Sequence, residues 1–144
     1  MPEVPINYLV VLVSAIVSML LGFLWYGPLF GKTWATMMGW DKMDPARVDE
    51  MKKGAAKGYI ISFIGSLVMA YVLAHALVFA STYTQTGGVP AGLMVGAWNW
   101  LGFVAPVTLG SILWEGKSVK LWLLNNSYNL AQLLMMGVIL SLWQ

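Results

Sequence analysis

The chain has 144 residues, of which 59% are hydrophobic and only 10% are charged, and its formal net charge is +2. Because a soluble domain is usually about 25% charged, the chain lacks the polar surface of a water-soluble protein. The small net charge gives no indication of nucleic-acid binding, and the absence of cysteine excludes disulfides, thiol catalysis and thiolate metal sites. The length allows a single domain.

Four stretches of the chain are apolar and long enough to cross a membrane, because a hydrocarbon core of about 30 Å requires roughly 20 residues of helix. The sequence therefore predicts an all-α fold, a polytopic membrane protein whose residues 1–144 form one four-transmembrane-helix bundle. The predicted helices cover about 6–26, 58–81, 90–114 and 120–143. No basic residue precedes the first stretch and no small-x-small cleavage site follows it, so we expect a retained helix and not a removed signal peptide.

The connection over residues 27–57 has features of its own. Gly27-Pro28 is expected to stop the first helix, since proline cannot continue the backbone hydrogen-bond ladder. A short amphipathic segment follows. Asp44-Pro45 is typical of an N-cap followed by proline at the first helical position. From Pro45 a helix could run without a break into the second span.

The basic residues predict the topology. All eight fall in two connections on the same side of the predicted bundle: Lys32, Lys42, Arg47, Lys52, Lys53, Lys57, Lys117 and Lys120. Because Lys and Arg are retained on the cytoplasmic side, both connections are predicted to be cytoplasmic. The protein is then expected in the cell membrane, an inner membrane, with both termini outside the cytoplasm.

The third predicted helix carries a face of small residues. At 100° per residue these positions fall within about 120° of arc together with Asn99 and Pro106: Gly88, Gly92, Gly96, Gly102 and Gly110. In a membrane such a face lets a neighbouring backbone approach closely, so van der Waals contact drives helix association. We expect this helix-packing face to contact another helix, and Pro106 to kink the helix within it.

Polar side chains form a second pattern. The fourth predicted helix places its polar residues on one face: Asn125, Tyr128, Asn129 and Gln132. Buried amides in hydrocarbon must find partners, so these side chains and Asn99 are expected to face protein or water. They form either an interhelical network or the lining of a polar path. His75, in the second helix, is expected to be neutral and hydrogen-bonded near the outer interface.

Little in the sequence points to catalysis. No serine or threonine has an evident base nearby, and no two carboxylates are placed for acid–base chemistry, so we predict that the protein is not an enzyme. No cofactor or metal is expected, because no second histidine, cysteine or deep carboxylate accompanies His75. Glu115 and Lys117 are interpreted as a tight cytoplasmic turn, in which Glu115 could pair with a basic residue of the first connection.

Three segments resemble a known family. They are residues 24–34 with the run Trp-Tyr-Gly-Pro-Leu-Phe-Gly, residues 69–75 with Met-Ala-Tyr-Val-Leu-Ala-His, and residues 113–128 with Leu-Trp-Glu-Gly-Lys-Ser and Asn-Asn-Ser-Tyr. Together they resemble the small bacterial membrane family catalogued as domain of unknown function 1761. The resemblance covers nearly the whole chain and implies a membrane protein with four helices. It implies no activity, substrate or catalytic residue.

Two functions fit these patterns. We expect a structural or interaction protein in the lipid bilayer that forms a homo-oligomer through the glycine-rich face. The alternative is a small channel or carrier for a polar solute, lined by the polar face of the fourth helix. Proton-coupled small multidrug transporters also have four helices, but they rely on a glutamate in the first helix, where this chain has Ser14 and Ser18.

Overall fold

The computed structural model describes residues 3–143, which are helical and turn structure without a strand. The α-helices, in chain order, are α1 (Tyr8–Leu24), α2 (Gly31–Met37), α3 (Pro45–Lys53), α4 (Ala55–Thr84), α5 (Gly88–Asn99), α6 (Ala105–Thr108), α7 (Gly110–Leu113) and α8 (Val119–Leu142). Short helical turns of other types cover Trp25–Leu29, Trp40–Lys42 and Trp100–Val104. Four long helical segments result within residues 3–143, and their bounds agree with the predicted helices to within a few residues.

Helix α1 begins and ends where its local sequence predicts. The Asn7 side chain caps it by accepting a hydrogen bond from the amide of Val10 at 3.3 Å. At the other end the chain widens into a π-type turn, and Gly27 leaves helical geometry at φ −109° and ψ −106°, directly before Pro28. The expected stop at Gly27-Pro28 is confirmed.

The connection between the first two long segments is itself mostly helical. Asp44 caps α3 by accepting from the amide of Ala46 at 3.1 Å, and Pro45 opens the helix, as predicted. An unbroken helix from Pro45 into the second span is not found. The chain breaks for one residue at Gly54, where the helical pattern of α3 ends before α4 begins. Glycine favours such breaks because it has low helix propensity.

The third long segment is built from three pieces. A π-type turn over Trp100–Val104 joins α5 to α6, and a further break at Leu109 separates α6 from α7. Pro106 has no backbone N–H, so the carbonyl four residues earlier, at Gly102, cannot receive the usual helical bond. The predicted irregularity near Pro106 is therefore present, and it lies mainly in the turn that precedes the proline.

The long segments pack closely at one end and open at the other. Helices α1 and α5 each pack against both α4 and α8, and the tightest pairing is between α5 and α8. The apolar core draws on all four, with Val10, Leu77, Val95 and Met136 among its buried members. We call the end that holds Asn7, Gln85 and Trp143 the terminal end. The opposite end, where residues 30–57 and 114–118 lie, is the basic end.

The outer surface is apolar. Large hydrophobic side chains point outward on every long segment, among them Leu20, Val68, Phe103 and Leu123. Exposed apolar surface on this scale is typical of contact with lipid. Within residues 3–143, three helices are long and apolar enough to cross a membrane: Tyr8–Leu29, Ala55–Thr84 and Gly88–Leu113. Helix α8 has 24 residues and carries the polar face described above.

Candidate functional site

A cavity of about 1010 Å³ opens at the basic end of the molecule. It lies where the first turns of α4 and α8 face α6, α7 and the connection after α1. Its lining joins the polar face of α8 to aromatic and hydroxyl side chains of the other segments: Tyr26, Trp34, Trp40, Tyr59, Ser62, Thr108, Ser111, Trp122, Asn125, Asn126, Tyr128 and Asn129. Helix α4 packs against the third long segment through α5. Helices α6 and α7 lie apart from α4, and the cavity occupies the space between them.

The wall contributed by α8 is polar because its amides recur at helical spacing. Asn125, Tyr128 and Asn129 are three and four residues apart, so their side chains share one face and all line the cavity. The Tyr26 hydroxyl donates to Oδ1 of Asn125 at 2.9 Å, which ties this wall to the turn after α1. The amides are thus half-buried and partly satisfied, with the cavity beside them.

A group of hydrogen-bonded polar side chains lies one helical turn beyond the cavity lining, on α8, α1 and α4. Gln132 lies one turn beyond Tyr128, is only 6% exposed, and donates through Nε2 to Oγ of Ser18 at 2.5 Å. Oγ of Ser18 is in turn 3.5 Å from Oγ of Ser66, so α8, α1 and α4 meet at one point. We call these three residues the plug. The buried core lies beyond it, and Met136 and Leu77 there are fully buried.

A second polar network joins α8 to the third long segment. Asn126 is 3% exposed, and its Oδ1 accepts from Oγ1 of Thr108 at 3.1 Å. The Trp122 indole donates to the same Thr108 oxygen at 3.1 Å, and the Trp100 indole donates to the backbone carbonyl of Asn126 at 3.1 Å. These bonds hold α6 against α8 although the helix containing Pro106 is irregular.

Aromatic rings form a continuous row along another wall. The ring centroids of Tyr128 and Tyr26 are 5.1 Å apart, those of Tyr26 and Trp34 are 5.6 Å apart, and those of Trp34 and Trp40 are 4.9 Å apart. All three pairs meet edge to face, the arrangement that aromatic quadrupoles favour. The row runs from the level of the α8 amides to the mouth of the cavity.

Charged residues stand only at the mouth. Three lining side chains carry a charge at neutral pH: Lys52 and Lys117 are basic, and Glu115 is acidic. Nζ of Lys117 is 2.8 Å from the carboxylate of Glu115, and both side chains are about half exposed. Glu115 therefore pairs within its own turn, with Lys117 two residues away, and not with a basic residue of the first connection.

The structure separates some residues that the sequence analysis grouped together. Asn99 donates to the carbonyl of Val95 in its own helix at 2.8 Å and does not line the cavity. His75 lies near the terminal end, where its Nδ1 is 2.9 Å from the carbonyl oxygen of Tyr71. Its hydrogen bonding is confirmed. Within residues 3–143, no group of three or more His, Cys, Asp or Glu side chains could hold a metal ion.

The glycines of the helix-packing face also fall into two groups, those that contact another helix and those that do not. A Cβ at Gly96 would lie 2.6 Å from the carbonyl oxygen of Leu133, and a Cβ at Gly92 would clash with the backbone of Gly137. These two glycines therefore pack against α8 of the same chain. Gly88 and Gly102 have open space at the Cβ position, and Gly110 approaches only Trp114. That the face assembles copies of the chain stays a prediction.

Sequence reasoning missed several residues of the site. Asn126 was left out because it lies 100° from the polar face of α8, towards the third long segment. Neither the aromatic row nor Ser18 is predicted from the sequence as part of a site. The available signal was the density of Trp and Tyr in residues 25–40, which hold Trp25, Tyr26, Trp34 and Trp40.

These features define a helical, lipid-facing membrane protein with a cavity open at one end, whose lining includes amide and hydroxyl groups. The chain belongs to the family described as protein of unknown function (DUF1761), whose model matches residues 9–141. The family resemblance seen in the sequence is thereby confirmed over nearly the whole chain. Comparison with curated proteins and with solved structures gave no match.

Proposed function

We propose that the protein is a small carrier for a polar solute, and that its binding site is the cavity at the basic end. The observation that carries this proposal is the polar face of α8, which lines a cavity of about 1010 Å³. Some of its amide side chains face this cavity, and only part of them bond to other helices. Ligand sites of helical membrane proteins occur between helices, with a few polar groups set among apolar ones.

The proposal includes the topology predicted by the basic residues. Helix α8 has 24 residues, which at 1.5 Å per residue extend about 36 Å, enough to cross a core of about 30 Å. Asn125, Tyr128 and Asn129 face the cavity and Gln132 belongs to the plug, so most of the polar side chains of α8 do not face lipid. We therefore propose four membrane crossings, a cytoplasmic cavity mouth, and both termini outside.

The plug favours a carrier over an open channel. A channel needs a continuous path, whereas here Gln132, Ser18 and the apolar core lie beyond the cavity. A carrier would bind its solute from the cytoplasmic side and then open towards the terminal end. A smaller cavity of about 350 Å³, lined by Asn7, Leu77 and Trp143, already lies at that end.

The packing of the glycine face weighs against the competing hypothesis of an assembly protein. Its central glycines, Gly92 and Gly96, are already in contact with α8. The central part of the surface that would join two copies is therefore in contact with α8 of the same chain, and only Gly88, Gly102 and Gly110 remain open. The cavity, by contrast, has no occupant from the chain itself.

Flux measurements with purified protein in liposomes test the proposal. The panel contains small cationic, anionic, neutral and zwitterionic solutes. We expect saturable flux for one class, reduced about tenfold or more in Asn129→Leu, because the leucine removes a polar contact and dewets the cavity. Trp98→Leu is the matched control, since Trp98 is 67% exposed and outside the cavity. Absence of protein-dependent flux for every class would refute the proposal.

A further inference from the structure

The lining of the cavity is rich in aromatic side chains. Six of its lining side chains are aromatic: Tyr26, Trp34, Trp40, Tyr59, Trp122 and Tyr128. Four of them form the continuous row described above, with neighbouring centroids 4.9–5.6 Å apart. Rings in such a row present electron-rich faces or polarised edges to the space they enclose, and the faces attract cations.

The polar groups beside the rings are neutral. The deeper lining offers amides and hydroxyls, such as Asn125, Asn129 and Ser62, which accept hydrogen bonds and stabilise positive charge through their oxygens. Lysines occur only at the mouth, and Glu115 neutralises Lys117 there. An anion would find no basic side chain among the deeper lining residues. A metal ion would find no carboxylate there either.

We infer that the cavity binds an organic cation of the quaternary ammonium class, held by the aromatic row. This inference rests on the proposed function, because it names the chemical class of the solute at the same site. Such a cation carries its charge on a large apolar surface, so desolvating it costs less than desolvating a compact ion. The row of Tyr128, Tyr26 and Trp34 then supplies cation–π attraction without a carboxylate.

A pair of probes separates the charge from the shape of the ligand. Choline and 3,3-dimethylbutan-1-ol have the same outline, with nitrogen in the first and carbon in the second. Binding to the purified protein is measured by titration calorimetry, and tetrabutylammonium is included because the cavity is larger than choline. We expect at least one of the two cations to bind, and the neutral alcohol to bind about tenfold or more weakly.

Variants at Trp34 test whether the ring carries the recognition. Trp34→Phe keeps a π face and Trp34→Leu removes it, while both shorten the side chain. Trp34→Leu should weaken cation binding about 3- to 30-fold and Trp34→Phe clearly less. Thermal unfolding in detergent shows which variants are folded. If Trp34→Leu does not fold, Tyr128→Leu against Tyr128→Phe gives the same comparison.

The outcomes distinguish this inference from the carrier proposal. Equal binding of choline and its neutral isostere, equal effects of the Leu and Phe variants, or no binding of either cation would overturn the inference. Flux of an anionic or neutral solute without cation binding would overturn it and leave the carrier proposal standing. Cation binding without flux of any solute would support the inference and refute the carrier proposal.

Discussion

Nε2 of Gln132 donates to Oγ of Ser18 across the centre of the molecule, joining residues that are 114 positions apart in the chain. This contact marks the boundary between the apolar core at the terminal end and the polar cavity at the basic end. It explains how one polar face of α8 can both pack against other helices and line the cavity. Its deepest member is bonded to protein, and the members nearer the basic end face the cavity.

Replacing Gln132 with leucine should destabilise the protein. The change would remove the Gln132 donor from the buried Ser18 hydroxyl, which would keep only the longer contact with Ser66, and losing one partner of a buried group costs roughly 1–3 kcal/mol. Thermal unfolding in detergent measures the loss. Asn129→Leu is the control, because Asn129 lines the cavity and is half-buried. A Gln132→Leu protein that unfolds at the same temperature as the parent would show that the plug does not hold the helices.

Two glycines of α5 should not tolerate even one added methyl group. In Gly96→Ala the new Cβ would meet the backbone of Leu133, which cannot move as a side chain would, so α5 and α8 must separate. Overpacking of this kind costs about 1–3 kcal/mol or more. Gly96→Leu should be worse than Gly96→Ala, whereas Ala97→Leu, on the exposed side, should change stability little.

Gly102→Ala provides the matched control for the glycine prediction. A Cβ there meets nothing within 4 Å, and alanine has the higher helix propensity. Its unfolding temperature should equal or exceed that of the parent. Equal losses for Gly96→Ala and Gly102→Ala would mean that contact with α8 is not the reason for the small residues.

The stability of the polar network around Asn126, which joins α8 to α6, should depend on the hydroxyl of Thr108. Thr108→Val keeps the shape of the side chain but removes the oxygen that joins Asn126 and Trp122. We expect a loss of roughly 1–3 kcal/mol in the free energy of unfolding. Thr108→Ser keeps the oxygen and should lose less. The opposite order would show that the threonine methyl group matters more than the hydrogen bonds.

Reporter fusions test the topology. A periplasm-dependent reporter after Gln144 should be active, and a cytoplasm-dependent reporter at the same position should not, because all eight basic residues lie at the opposite end. Fusions after Lys42 should give the reverse result. A cytoplasmic Gln144 would place the cavity mouth on the outer side of the membrane and reject the proposed orientation.

The sequence predicts the elements better than it predicts their contacts. Hydropathy, Gly27-Pro28 and the Asp44 cap locate the helices, and the 3.6-residue period places Asn125, Tyr128 and Asn129 on one face. Which helices meet depends on the rotation of each helix about its axis and on its depth in the bundle. No local sequence pattern determines either quantity. Asn99 therefore bonds to its own helix and not to the polar face of α8, and Thr108 and Asn126 pair without any shared motif. The aromatic row was equally hidden, because it depends on how the chain turns back after the first helix.

Thiol accessibility tests the central claim most directly, since the chain has no cysteine of its own. Asn129→Cys would stand in the cavity, and Ser14→Cys would stand beyond the plug at a fully buried position. In inverted membrane vesicles, whose cytoplasmic face is outside, a membrane-impermeant maleimide should label Asn129→Cys and leave Ser14→Cys unlabelled until detergent denatures the protein. An Asn129→Cys protein that stays unlabelled in the vesicles and reacts only after denaturation would contradict the claim that this face of α8 lines a cavity open to the cytoplasm.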